Sequence, residues 1–96
     1  MKSNPKVLLI EDDRNIATGL QKAMRANGYD VTLQARGDDG LAQALAETFD
    51  VVITDLKLPG TDGLELVREL HQAKPKLPII LITAHGTTET AIDATK

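Results

Sequence analysis

The sequence predicts an α/β domain built on a doubly wound parallel sheet. Three unbroken runs of strongly apolar residues, at 7–10, 51–53 and 77–82, are typical of strands covered on both faces. A fourth segment, residues 31–35, alternates apolar and polar side chains, as an edge strand does. Helical patterns separate these segments. Such alternation of strands and helices implies parallel strands joined by right-handed crossovers.

The first half of the chain predicts two strands around one helix. Residues 7–10 form the first strand, and Asp13 follows where it can cap a helix. Asn-Gly at residues 27–28 is a common helix end. Residues 31–35 then form the second strand. The apolar stripe of the helix is expected to contain Ile16, Leu20, Ala23 and Met24.

The second half predicts two further strands and three helices. Residues 37–40 are interpreted as a turn, and residues 51–53 as a strand that ends at Asp55. Pro and Gly residues shape the loop at 59–63, and Pro75 follows the end of the next helix. Residues 77–82 form the last strand. The helices are marked by Leu41, Ala44 and Leu45, by Leu64, Val67 and Leu70, and by Thr87 or Thr88 with Ala91 and Ile92.

The last strand raises the question of what covers its free edge. Its apolar run is typical of a central strand, yet no further strand is evident after it. An exposed, flat, apolar strand edge favours aggregation. We therefore expect one incomplete domain over residues 1–96 and a natural polypeptide that continues with another strand.

Composition excludes several classes of protein. The 96 residues suffice for one small domain, and 42% hydrophobic with 26% charged residues is ordinary for a globular protein. A net charge of −3 argues against direct nucleic acid binding, which needs a basic face. The chain has no cysteine, and the apolar run after its start is too short for a signal peptide or a membrane span. The expected location is the cytoplasm.

Acids and a hydroxyl follow three of the apolar strands directly. Glu11 and Asp12 follow the first, Asp55 ends another, and Thr83 follows the last. Ligands of open parallel sheets bind beyond the carboxyl ends of the strands, so these groups are expected to meet at one rim. Clustered carboxylates repel each other unless a cation is bound, and ligands that are all oxygen favour Mg²⁺ over Zn²⁺. An aspartate beside such an ion can accept a phosphoryl group.

These residues resemble the receiver domain of two-component response regulators. The family's acidic pair corresponds to Glu11 and Asp12, and its phosphoacceptor to Asp55 within the segment 55–63. Its switch hydroxyl corresponds to Thr83, which the small residue Ala84 follows. The resemblance implies a flavodoxin-like sheet with strand order 2-1-3-4-5, in which strand 5 and helix 5 lie beyond the chain. It also implies that Asp12, Asp55 and the backbone carbonyl of Lys57 bind Mg²⁺ directly, and that Glu11 acts through water.

The resemblance further implies a signalling role. A sensor histidine kinase would donate the phosphoryl group to Asp55, and Thr83 would sense it and change the interactions of an output domain on the same natural chain. Residues 83–88 are most similar to receivers of the nitrogen-regulation class, which precede a σ54-activating ATPase and a DNA-binding domain. The protein would then catalyse at most its own phosphorylation and dephosphorylation. The family's fifth-strand lysine and aromatic switch residue have no counterpart in residues 1–96, which leaves phosphorylation competence open.

Two other functions stay open from the residues alone. One is an interaction module that works without phosphorylation, as a homodimer or by strand exchange at the free edge of the last strand. The other is a Mg²⁺-dependent phosphatase with an aspartate nucleophile. That class needs a second acid two residues after the nucleophile, where this chain has Lys57.

Overall fold

The predicted sheet is present, and its strands lie in the order β2-β1-β3-β4-β5. The computed structural model describes residues 4–82 and 92–93. Three helices lie between the first four strands, which are parallel to one another. The elements are β1 Lys6–Ile10, α1 Arg14–Ala26, β2 Asp30–Gln34, α2 Gly37–Ala46, β3 Val51–Asp55, α3 Gly63–Ala73, β4 Ile79–Ile82 and β5 Ile92–Asp93.

Two apolar layers, one on each face of the sheet, explain why β1 is apolar throughout. Side chains of a strand alternate between faces, so Leu8 and Ile10 pack in the layer that α2 and α3 cover, while Val7 and Leu9 pack in the layer beneath α1. All four are at most 1% exposed. The doubly wound fold is therefore confirmed, with β2 at the sheet edge as its alternating pattern predicted.

The phase of the α1 stripe was partly wrong. Leu20 and Met24 pack against the sheet as expected, but Ile16 is 37% exposed. The buried residue of the first turns is Ala17, which is 5% exposed. Residues 17, 20 and 24 share one helix face, and a small side chain lets α1 lie close to the sheet. The spacing of apolar residues in α1 fits both a face with Ile16 and a face with Ala17, so it did not predict which one is buried.

Residues 37–40 were predicted to be a turn, and this was wrong. They form the first turn of α2, which begins at Gly37. Asp38 and Asp39 suit this position because acidic side chains stabilise the positive end of the helix dipole. Gly40 packs against Ile10, where an added Cβ would lie 2.5 Å from the Ile10 Cδ1 atom. The glycines therefore serve close packing and not a turn.

The predicted last helix was wrong at Ile92. Residues 92 and 93 form a short strand, β5, whose pairing with β4 is antiparallel, Leu81 opposite Ile92 and Ile80 opposite Asp93. The expectation that nothing in this chain pairs with the free side of β4 was thus wrong as well. The backbone groups of an open strand edge favour a partner strand over the local helical pattern. The other residues of that predicted helix, Thr87, Thr88 and Ala91, lie outside the described residues.

Candidate functional site

The two central strands deliver three carboxylates to one point. β1 and β3 are parallel neighbours with Ile10 opposite Thr54, so Glu11 and Asp55 follow at the same level of the sheet. Asp12 is the next residue after Glu11. Oxygen atoms of Glu11, Asp12 and Asp55 all lie within 4.8 Å of one another. The structure therefore brings together the three acids that the sequence placed at one rim.

The burial of the three acids differs. Glu11 is 4% exposed and Asp55 8% exposed, whereas Asp12 is exposed. The Leu56 backbone N–H donates to Asp55 Oδ1 at 2.8 Å, which fixes the rotation of that carboxylate. The Asp13 N–H donates to Glu11 Oε2 at 3.0 Å. Glu11 Oε1 is buried and has no hydrogen-bond partner among the described residues.

The surroundings of Glu11 disfavour its charged form. Burial raises the pKa of the Glu11 carboxyl above its ordinary value, and the nearby charges of Asp55 and Asp12 raise it further. The Asp13 N–H acts in the opposite sense, but the pKa remains raised. A cation among the three acids would relieve both effects and would give Glu11 Oε1 a polar neighbour or a bound water.

The donor set suits a hard divalent cation. All three side chains are carboxylates, and no histidine or cysteine belongs to the cluster, which is the one such group found among residues that the structure describes. Oxygen ligands favour Mg²⁺ or Ca²⁺ over softer metals. A partly exposed carboxylate set also leaves space for water, which Mg²⁺ retains. The residues therefore fit a magnesium ion.

The remaining predicted site residues divide into three cases. Asp13 caps α1, as predicted, because its Oδ1 accepts from the Asn15 N–H at 2.9 Å and the Ile16 N–H at 3.1 Å. Lys57 lies in the loop after β3 with an exposed side chain, so only its carbonyl remains a ligand candidate. Thr83 lies outside the described residues.

Sequence reasoning missed the contact that α2 makes with the site loop, residues 56–62. The Gly37 N–H donates to the Pro59 carbonyl at 2.9 Å. No sequence motif predicts this contact. The one available signal was Gly37, which was interpreted as part of a turn and not as the start of a helix.

A groove of about 270 Å³ lies beside two of the three acids, Glu11 and Asp12. It lies between the first turns of α1 and the end of β2, and its lining includes Glu11, Asp12, Arg14, Thr18 and Gln34. A larger groove, of about 600 Å³, lies at the amino ends of β3 and β4. That larger groove lies at the opposite end of the sheet from the three acids, so it is not a candidate for their chemistry.

A parallel sheet of this order with a three-acid cluster at its carboxyl rim defines the class of receiver-type α/β domains. Residues 7–96 match the family model "Response regulator receiver domain". The chain belongs to this family, the receiver domains of two-component response regulators.

Curated relatives are transcriptional regulators. The chain is 37% identical over 94 residues, 98% of its length, to the C4-dicarboxylate transport transcriptional regulatory protein DctD of Rhizobium meliloti. It is 35% identical over 88 residues, 92% of its length, to the DNA-binding transcriptional regulator NtrC of Salmonella typhimurium. These matches cover 20% and 19% of the two relatives, so the chain spans about a fifth of their length.

Solved structures support the fold. The response regulator protein TrrA of Thermotoga maritima, solved in complex with Mg²⁺-BeF, superposes with a TM-score of 0.82 and 30% identity. The match covers 85% of this chain and 71% of that one. Among the described residues, no helix combines the length and apolar character that crossing a membrane requires.

Proposed function

We propose that this chain is the phosphoacceptor domain of a two-component response regulator and that Asp55 accepts the phosphoryl group. The observation that carries the proposal is the meeting of Glu11, Asp12 and Asp55 within 4.8 Å at the carboxyl ends of β1 and β3. Membership of the receiver family supports the same assignment. The relative TrrA binds Mg²⁺-BeF, and beryllofluoride has the shape and charge of a phosphoryl group.

The proposed roles divide between binding and reaction. Asp12, Asp55 and the Lys57 carbonyl would hold Mg²⁺ directly, and Glu11 would act through water. The ion, when bound, would supply positive charge against the transferring phosphoryl group. Thr83 is proposed to donate a hydrogen bond to the phosphoryl oxygens. The Leu56 N–H, at 2.8 Å from Asp55 Oδ1, holds the acceptor carboxylate in one orientation.

The proposed reaction transfers a phosphoryl group from a phosphohistidine to the Asp55 carboxylate. A carboxylate oxygen of Asp55 forms the new bond to phosphorus as the bond from phosphorus to the imidazole nitrogen of the donor breaks. The imidazole leaves with the bonding electron pair, and water later hydrolyses the aspartyl phosphate. The chain would therefore catalyse at most its own phosphorylation and dephosphorylation.

The proposed partners follow from the family. A sensor histidine kinase would supply the phosphoryl group, and an output domain on the same natural chain would respond in transcription, in the cytoplasm. The names of DctD and NtrC support a transcriptional output of the nitrogen-regulation class. The net charge of −3 supports DNA binding by another domain and not by this one.

The direct test is incubation of the protein with Mg²⁺ and acetyl phosphate, or with a phosphorylated histidine kinase, followed by intact mass measurement. We expect a mass increase of one phosphoryl group that requires Mg²⁺. Asp55→Asn should abolish it. Asp62→Asn is the matched control, because Asp62 is an exposed acid of the following helix cap outside the cluster, and it should retain the modification.

Three results would count against the proposal. One is no modification of the wild type by either donor. Another is modification without Mg²⁺ at an unchanged rate. The third is modification that persists in Asp55→Asn, which would place the acceptor elsewhere.

A further inference from the structure

The amino end of α2 lies against the middle of the site loop. The Gly37 N–H donates to the Pro59 carbonyl at 2.9 Å. Gly37 is buried, and a Cβ added to it would overlap the carbonyl oxygen of Thr61. That obstacle is backbone, so it cannot rotate away as a side chain would. Only glycine lets the helix and the loop approach this closely.

A second contact, beside the first, involves the next residue of α2. Gly60 has φ +79°, and a Cβ added to it would lie 2.5 Å from Asp38 Oδ1. Arg36 holds the Asp38 carboxylate with two hydrogen bonds of 3.0 and 3.1 Å. The same contact lowers the pKa of Asp38, because the Arg36 guanidinium stabilises the charged carboxylate. Gly37 on α2 and Gly60 on the loop therefore both permit the close contact between the helix and the loop.

This interface holds the middle of the loop together with Leu58, which packs against the apolar core. Its ends are tied to the sheet and to α3, because the Leu56 N–H donates to the Ile82 carbonyl at 2.9 Å and the Gly63 N–H to the Leu56 carbonyl at 3.0 Å. Within residues 4–82, the bond from Gly37 is the one backbone hydrogen bond that joins residues 57–61 to another element. Lys57, two residues before Pro59, lies in the stretch that this bond holds.

We propose that Gly37 is a positioning residue of the metal site: by seating the loop on α2, it sets where the Lys57 carbonyl lies relative to the three acids. This inference rests on the proposed function, which makes that carbonyl a ligand. A side chain at position 37 pushes the loop away from α2. The carbonyl moves with it, while Glu11, Asp12 and Asp55 stay on their strands.

The test compares two glycine variants of the same helix by calorimetric titration with Mg²⁺. Gly37→Ala should weaken Mg²⁺ binding by about tenfold or more, the range typical of lost ligand positioning. Gly40→Ala is the matched control: its Cβ meets the Ile10 side chain and not the loop. Both variants should lower the melting temperature, because each adds a Cβ to a close contact. Gly40→Ala should change Mg²⁺ affinity less than about twofold.

A second measurement needs no variant and covers the case in which Gly37→Ala does not fold. Coupling between two events is reciprocal, so Mg²⁺ should also tighten the contact that favours its binding. Saturating Mg²⁺ should slow hydrogen exchange of the Gly37 amide, which bonds to Pro59, more than that of the Gly40 amide, which bonds to the Arg36 carbonyl within its own helix.

The outcomes separate the two ideas. If Mg²⁺ binds the wild type but Gly37→Ala binds it equally well, or if both variants weaken binding alike, the positioning role is overturned. An equal effect of Mg²⁺ on the exchange of both amides overturns it too. If the wild type does not bind Mg²⁺ at all, the proposed function itself fails, and the positioning role fails with it.

Discussion

Replacing Glu11 by Gln should stabilise the protein in the absence of Mg²⁺. Glu11 is 4% exposed, its Oε1 atom has no hydrogen-bond partner among the described residues, and two other carboxylates lie within 4.8 Å. A glutamine keeps the shape and can still accept the Asp13 N–H. It removes the buried charge and offers an N–H donor to the neighbouring carboxylates. The substitution therefore relieves repulsion at little cost in packing.

The separation of the charges sets the magnitude. At 4.8 Å, the largest separation in the cluster, two unit charges repel by about 3.5 kcal/mol at an effective dielectric constant of ~20. The rim faces water, which reduces this figure, so we expect a gain of about 1–2 kcal/mol in the free energy of unfolding at pH 7. For a domain of this size, each kcal/mol shifts the melting temperature by about 4–8 °C.

The pH dependence gives a sharper signature. The pKa of folded Glu11 is raised from its ordinary value of 4.5, so the folded protein binds more protons than the unfolded chain between these two values. The stability contributed by protonated Glu11 is fully present below pH 4.5 and is lost as the pH rises through the raised pKa. The gain from Glu11→Gln should therefore be small at low pH and should grow across this window.

The assay is urea unfolding of both proteins over a range of pH, without and with saturating Mg²⁺. The wild type should gain more stability from Mg²⁺ than Glu11→Gln does. With three carboxylates it should bind the ion more tightly, and a ligand stabilises a folded protein more when it binds more tightly. Glu69→Gln, an exposed position on α3, is the matched control and should change stability by less than about 0.5 kcal/mol. A Glu11→Gln protein that is less stable than the wild type at pH 7 without Mg²⁺ would refute the reasoning.

Three further substitutions test the framework by chemical unfolding. Lys74→Met should cost about 1–3 kcal/mol, because Lys74 Nζ donates to the Ala44 and Glu47 carbonyls at 2.7 and 2.8 Å at the end of α2; no loss would mean that this cap is not formed. Gly19→Ala should add about 0.5–1 kcal/mol, since a Cβ there meets nothing within 4 Å, and a loss would show a contact that the structure lacks. Asp13→Ala should cost about 1 kcal/mol by removing the α1 cap, with Mg²⁺ affinity changed less than about twofold; a larger change would make Asp13 part of the metal site.

Much of the fold was predictable because strands that are buried on both faces have continuously apolar sequences. β1 and β3 are covered on both faces, so their sequences are continuously apolar. The acid cluster was predictable for a related reason. Parallel neighbours end at the same rim, so an acid at the end of each of two adjacent strands must approach the other.

The errors arose where contacts between distant segments decide local structure. Gly37 looks like a turn residue in isolation, but a close approach to Thr61 is what requires glycine there. Ile92 fits a helical pattern, but the edge of β4 offers backbone groups to pair with. Neither effect is visible in a local window, because the partner lies 11 or more residues away in the chain.

The most direct test of the central claim is to identify the residue that carries the phosphoryl group. Borohydride reduces an aspartyl phosphate to homoserine, which peptide mass spectrometry locates in the sequence. After treatment with Mg²⁺ and a phosphoryl donor, the account predicts homoserine in place of aspartate at position 55. Homoserine at another aspartate, the corresponding alcohol at a glutamate, or a phosphoryl group that resists reduction because it sits on a histidine or a hydroxyl would contradict it.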